Sequence, residues 1–369
     1  MRLTKWTGSL LLVFLCYTAG AQVTGGKYAF QFLTLPDAPH ISALGGECVA
    51  NTDEDISFAL QNPALMRPAM HNELQLVYDN YYAGIGIMNL QYGYHVPELN
   101  TSFVLGVQYI NYGTFTQTDD AGNILGSFQG RDFALSLGAS RSYQEHWRYG
   151  ADVKFAYSSL AFYNALGLVT DVGINYLDTA SLWDFGATAK NMGFMLNKYT
   201  SGQPAEPMPF DLQLGASKQF KHIPLRLIIT IHHFYEWDIA YNNPADITTS
   251  TIGNPADTTA PKSTFANKIF RHFIFGGELT LAKRLTITAS YNVLRRDELK
   301  LTDMPATAGF AFGLGLDLNK FKIHYARSYY SIVGAYNELG ITMALNKLMG
   351  IGKLGERTHW NAKYPDWLN

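Results

Sequence analysis

The chain has 369 residues, a formal net charge of −2, 16% charged residues and 14% aromatic ones, among them 23 Tyr and 22 Phe. A near-neutral charge gives no electrostatic footing for nucleic acid, so no nucleic-acid partner is expected. Charged residues fall below the roughly 25% of an ordinary globular domain, and the aromatic excess suits girdles at two membrane interfaces.

The first element is an export signal over residues 1–21. Arg2 and Lys5 open it, Leu10 to Leu15 form its apolar core, and Ala19-Gly20-Ala21 is a small-residue cleavage site. Its apolar run is too short to span a membrane as a helix. Cys16 is preceded by the large Leu15, which argues against a lipoprotein anchor. Removing the signal leaves Cys48 as the single cysteine, so no intramolecular disulfide is expected. Cys48 reads as a small buried residue.

Residues 22–72 carry no alternating run of ten positions. They hold Pro36 and Pro39, the pair Gly45-Gly46, the acidic run Asp53-Glu54-Asp55, and the turn signal Asn62-Pro63-Ala64-Leu65. This segment is expected to lie outside the wall, either in the barrel mouth or beneath it.

From residue 73 onward, large apolar residues recur at every second position. Phe133, Leu135, Leu137 and Ala139 alternate with Ala134, Ser136, Gly138 and Ser140. Leu285, Ile287, Ala289, Tyr291 and Val293 repeat the pattern, as do Phe310, Phe312, Leu314, Leu316 and Leu318. A strand sends successive side chains to opposite faces, so each stretch has one greasy face and one small or polar face. Strands are expected near 73–82, 85–95, 102–112, 131–141, 146–157, 165–177, 181–190, 209–220, 223–233, 271–282, 284–294, 307–318, 320–327 and 337–345. No downstream run reaches the roughly 18 apolar residues of a spanning helix. The expected fold is all-β: an antiparallel transmembrane β-barrel of about 14 strands over residues 73–345.

The connections alternate in length. Val96–Thr101, Ser142–Glu145, Asp178–Ala180, the point at Lys221-His222, Lys283 and Asn319 are short, as periplasmic turns are. Gly113–Gly130, Ser158–Asn164, Asn191–Met208, Phe234–Phe270, Arg295–Ala306 and Ser328–Tyr336 are the longer outer connections, and the turn at Ala83-Gly84 is the exception. Asn242–Lys268, with Pro244, Pro255 and Pro261, reads as a solvated loop and a place for a partner to touch. Asp119-Asp120-Ala121-Gly122-Asn123 reads as the cap of a projecting hairpin. Residues 346–369, with Trp360, Tyr364 and Trp367, lie outside the wall as a periplasmic tail or a strap across the barrel base.

Signals for an enzyme are absent. No serine has a lysine three residues later, and Gly-x-Ser-x-Gly is missing. There is no His-Glu-x-x-His. His232-His233, read on one strand, send their rings to opposite faces and are not expected to hold one ion together. Gly309–Gly315 alternates glycine with Phe and Leu on a strand rather than forming a phosphate loop. Asp53-Glu54-Asp55 reads as a solvated acidic turn. No catalytic residue, cofactor or metal is expected.

The order Ala43-Leu44-Gly45-Gly46, Val49-Ala50, Asp53 and Asn62-Pro63-Ala64-Leu65 resembles the long-chain fatty-acid transporter superfamily. That resemblance implies a fourteen-stranded outer-membrane barrel with an N-terminal hatch over residues 22–72. It casts Gly45, Gly46, Asn62, Pro63 and Ala64 as structural elements of the hatch. Within the superfamily, Gly25-Gly26-Lys27-Tyr28-Ala29-Phe30-Gln31-Phe32-Leu33 followed by Pro36-Asp37-Ala38-Pro39 resembles the PorQ family of the type IX secretion system in Bacteroidetes. The resemblance implies contact with outer-membrane lipid and lipopolysaccharide. It also implies anchoring of PorZ at the surface, in an attachment complex that includes PorU and PorV. The alternative is an outer-membrane transporter for hydrophobic small molecules such as long-chain fatty acids. Inward positions read as mostly Gly, Ala, Ser, Thr and Asn, with no greasy track, which favours the anchoring role.

Overall fold

Alternating stretches of this sequence can hide every backbone hydrogen bond from hydrocarbon only by pairing into a closed ring, and they do. The computed structural model describes residues 28–51, 53–200, 202, 204–239, 264–299, 307–331 and 334–349. The strands are β1 Glu73–Asn80, β2 Gly86–Val96, β3 Thr101–Thr118, β4 Ile124–Tyr143, β5 Trp147–Leu160, β6 Tyr163–Asp178 and β7 Trp183–Asn197. They continue as β8 Asp211–Gln219, β9 Leu225–Ile231, β10 Phe273–Leu281, β11 Leu285–Asn292, β12 Phe310–Asp317, β13 Phe321–Ser331 and β14 Gly334–Ala344. Each is antiparallel to its neighbours in sequence, and β1 closes on β14 from Glu73↔Ala344 to Asn80↔Asn337.

The wall is apolar outside and polar inside, the reverse of a soluble barrel. In β5, Tyr149, Val153, Phe155 and Tyr157 point outward and are 42–48% exposed, while Arg148, Asp152, Lys154, Ala156 and Ser158 point inward and are buried. Aromatic side chains mark both ends of the outer surface: Tyr143, Trp147 and Trp183 near the short turns, Phe162 and Tyr163 at the opposite end. An apolar belt between aromatic rims is what a bilayer requires of a barrel.

The short-turn end is as expected, and Leu345 N donates to Asn72 O there, beside the strand ends. The outer end differs. Thr114–Phe128 is largely ladder rather than loop: after a bulge between Asn111 and Thr114, pairing runs from Thr114↔Gln129 to Thr118↔Ile124. Asp119 Oδ1 accepts from the Ala121 and Asn123 amides and closes the projecting hairpin. β5 and β6 stay paired to Leu160↔Tyr163, so the expected Ser158–Asn164 loop shrinks to a tight turn. The long outer connections therefore fall after β7, β9 and β11. Most of Asn242–Lys268, the expected export signal over residues 1–21, residues 22–27 of the expected hatch and residues 350–369 lie outside the described residues.

Candidate functional site

Residues 28–72 run inside the ring. Their polar backbone fits there because inward-facing glycines let it approach the wall. Asn62 caps the turn Pro63–Leu65, its Oδ1 accepting from Ala64 N at 3.0 Å, and its Nδ2 donates to Val49 O at 2.9 Å and Ile174 O at 3.2 Å. A Cβ at Gly150 would sit 2.5 Å from the Pro63 carbonyl carbon and oxygen. At Gly173 it would strike Asn62 Oδ1, and at Gly186 the carbonyl oxygen of Val49. Gly150 pairs with Gly173, and Gly186 with Gly215, so β5 to β8 present one smooth track.

A second contact lies across the lumen. The short helix α1, Pro39–Ala43, ends in Gly45 and Gly46 at φ 95° and 98°, a conformation that favours glycine. Any side chain on Gly45 would run into Ile274 of β10. The two hatch motifs expected from the sequence, Gly45-Gly46 and Asn62-Pro63-Ala64, are thus not brought together; they dock on different walls.

Charged and polar side chains join the segment to the wall. His40 Nδ1 lies 2.7 Å from Asp55 Oδ2, and His40 Nε2 lies 2.5 Å from Glu278 Oε1 of β10. Arg226 of β9 reaches Asp53 at 2.6 Å, Asn51 at 2.6 Å and Glu278 at 3.1 Å. Ser42 Oγ donates to Glu338 of β14 at 2.5 Å, and its carbonyl accepts from Tyr330 at 3.1 Å. Lys190 of β7 donates to Gln61, which donates to Asp37. Burial opposes protonation of His40, but the carboxylates of Glu278 and Asp55 outweigh it and raise its pKa from the ordinary 6.5 to about 10. Burial alone would raise Asp55, yet His324 and His40 hold it well below the carboxylate range.

Three sequence expectations are corrected here. Asp53-Glu54-Asp55 is only in part a solvated turn: Glu54 is exposed, whereas Asp55 is buried, its Oδ1 accepting from the Ser57 amide and hydroxyl. His232 and His233 do not face opposite ways. β9 ends at Ile231, His233 takes φ 51°, and the two Nδ1 atoms meet at 2.7 Å. The inward positions, read as mostly small and neutral, also carry charges. Lys154 pairs with Asp171 at 2.6 Å, and Arg148, Asp152, Asp184 and Glu278 are also buried.

The lumen also holds an apolar compartment that the sequence had argued against. Ile87, Ile110, Ala134, Ala156, Ala165 and Val169 line the outer half of β2–β6, and Phe30, Phe32 and Leu33 fill the space they enclose. Phe30 is itself at φ 50°, a left-handed backbone under an aromatic side chain. Beside it, a polar cavity of about 230 Å³ opens among Tyr28, Asp211, His233, Arg295, Glu298 and Tyr330. The Arg295 guanidinium stacks 3.6 Å from the Tyr330 ring centre at its edge.

No family model matches the chain, and no curated protein sequence matches it. Solved structures do resemble it. The deltaS2 mutant of the TodX monoaromatic hydrocarbon channel is 14% identical with a TM-score of 0.46, over 84% of this chain and 98% of that one. A Pseudomonas aeruginosa FadL homologue is 11% identical with a TM-score of 0.45, over 83% and 98%. KdgM porin scores 0.31 at 4% identity, over 73% and 98%. Likenesses this remote leave function to be read from the chain's own residues. The chain is an outer-membrane β-barrel of fourteen strands whose lumen is occupied by its own N-terminal segment.

Proposed function

We propose that this barrel is a channel for small hydrophobic molecules, held closed by residues 28–72. The observation that carries the reading is the apolar compartment. A lumen lined by buried charges has an apolar patch at Ile87, Ile110 and Val169, and the chain fills it with Phe30, Phe32 and Leu33. Ligand sites are mostly apolar hollows with a few polar groups at the rim, and this hollow adjoins the polar cavity of about 230 Å³. A positive-φ aromatic costs roughly 1–3 kcal/mol of strain, so the Phe30 stretch is the part of the segment that an apolar ligand displaces at least cost. The test is accumulation of toluene or a medium-chain fatty acid in proteoliposomes. Saturable uptake above protein-free vesicles, changed by Phe30→Ala, supports the channel. Uptake equal to protein-free vesicles refutes it.

A second reading is favoured by a different observation. The segment is fixed on two walls by glycine contacts and by ion pairs to Arg226 and Glu278, which suits a closed platform. Together with the PorQ-like motif, this supports a surface anchor in type IX secretion, with PorZ, PorU, PorV and lipopolysaccharide as partners. Co-purification of PorZ-like and PorU-like proteins with the tagged barrel is its expected outcome; recovery of the barrel alone counts against it.

A further inference from the structure

Where the N-terminal segment meets the wall, side chains from three separate stretches aim ligating atoms at one point. His40 comes from α1, Asp55 closes the acidic run and caps the turn Ile56–Phe58, and His324 comes from β13. His40 Nδ1 is 2.7 Å and His324 Nδ1 3.3 Å from the same oxygen, Asp55 Oδ2. The three atoms lie within 4.8 Å of one another. A tetrahedral zinc shell with bonds of about 2.0–2.2 Å has edges of roughly 3.4 Å. One edge already has about that length, and the His40–Asp55 edge needs to open by about 0.7 Å.

Three further features fit an ion. The far nitrogen of His40 faces Glu278 Oε1, and Arg226 holds the other Glu278 oxygen. A carboxylate behind a ligating imidazole is the usual second support of a metal-bound histidine. The charges leave an excess. Asp53 and Glu278 pair with Arg226, Asp55 lies against the two imidazoles, and the neighbouring Lys322 is paired with Glu73. With a metal ion in place of the His40 proton both imidazoles are neutral, and the net charge of −2 left on the three carboxylates and the guanidinium is balanced by a dication. Finally, His324 Nδ1 is shut off from solvent, and its 3.3 Å approach to Asp55 Oδ2 lacks the geometry of a hydrogen bond. Beside both imidazoles lies a cavity of about 10 Å³, bordered by Thr286, Thr288, Gly313 and Gly315. That is the space of a single water, the natural fourth ligand.

We propose that His40, Asp55 and His324 form a divalent-metal site of the zinc class that ties the N-terminal segment to the barrel wall. Two imidazoles and one carboxylate are a borderline donor set that suits zinc and its spectroscopic substitute cobalt.

The test uses the full chain in detergent, stripped with a chelator, dialysed, and given Zn²⁺ or Co²⁺ alone. One equivalent of zinc per chain is expected to survive desalting. Cobalt should show the intense visible bands of tetrahedral coordination and lose them when zinc is added. His324→Ala should abolish both signals. His324→Gln, which keeps the side-chain bulk, guards against a folding effect, with barrel assembly checked by heat-modifiable gel mobility. Glu278→Gln should weaken zinc binding about 10- to 100-fold. Zinc should also slow maleimide labelling of the buried Cys48 in the parent chain and not in His324→Ala. No retained zinc, or equal retention by the parent and both His324 variants, meaning an adventitious ion only, overturns the proposal.

Discussion

Gly150→Ala tests whether glycine contacts hold the segment in the lumen. The added Cβ would lie 2.5 Å from the Pro63 carbonyl carbon and oxygen and 2.7 Å from Ala64 N. All three are backbone atoms, so no flexible side chain can yield. Ordinary contact begins at about 3.5 Å, so the turn must retreat by about 1 Å. Overpacking of this kind costs roughly 1–3 kcal/mol. The retreat also strains the Asn62 bonds to Val49 O and Ile174 O, and losing one of them costs about 1 kcal/mol. A total of about 2–4 kcal/mol raises the undocked population about 30- to 1,000-fold. Cys48 reports it, being fully buried and, with Cys16→Ser, the only thiol left. Labelling by a maleimide tracks the open population when reclosing is fast, so the rate should rise by the same factor. Gly126→Ala is the control: its nearest neighbour is Gln117 Oε1 at 3.9 Å, and labelling should stay at the parent rate. An assembled Gly150→Ala barrel labelled no faster than the control would refute the docking argument.

Further outcomes follow from the same contacts. Phe30→Ala should empty part of the apolar compartment, costing the segment about 3–5 kcal/mol of packing, and xenon or benzene should bind in its place in a crystal soak. Asn62→Ala removes the turn cap and two bonds to carbonyls, so the denaturant midpoint for exposing Cys48 should fall by the equivalent of about 1–2 kcal/mol. Burial raises Asp37 above its ordinary 3.8 despite the bond from Gln61 and the charge of Lys190. Its folded state thus holds a proton more tightly than the unfolded chain, and that stability fades as pH rises from 3.8 through the raised value. The difference in denaturant midpoint between the parent and Asp37→Asn should follow that sign; a flat difference across this range would contradict it.

The wall was legible because period-two alternation records which face meets lipid. Phe312, Leu314 and Leu316 need no partner elsewhere in the chain to announce an outward face. The projecting parts were less legible. In Thr114–Thr118 both faces are wet, so nothing imposes alternation, and pairing rests on backbone bonds and the stacked Phe115–Phe128 pair. The interior was hardest to read. His40 and Glu278 are 238 positions apart, and no local spacing announces their contact. Ala134, Ala156 and Ala165 look like lumen filler one at a time; only the closed ring gathers them around Phe30. Arg148, Asp152 and Lys154 could have been flagged, since charges on the inner face of an alternating strand are expensive without a partner inside.

Closure of the barrel by residues 28–72 is what the proposed channel depends on. Single-channel recording of the full chain in a planar bilayer tests it most directly. The parent chain is expected to show no steady ohmic conductance, and Gly150→Ala brief openings. A stable, porin-like conductance in the parent chain would contradict it.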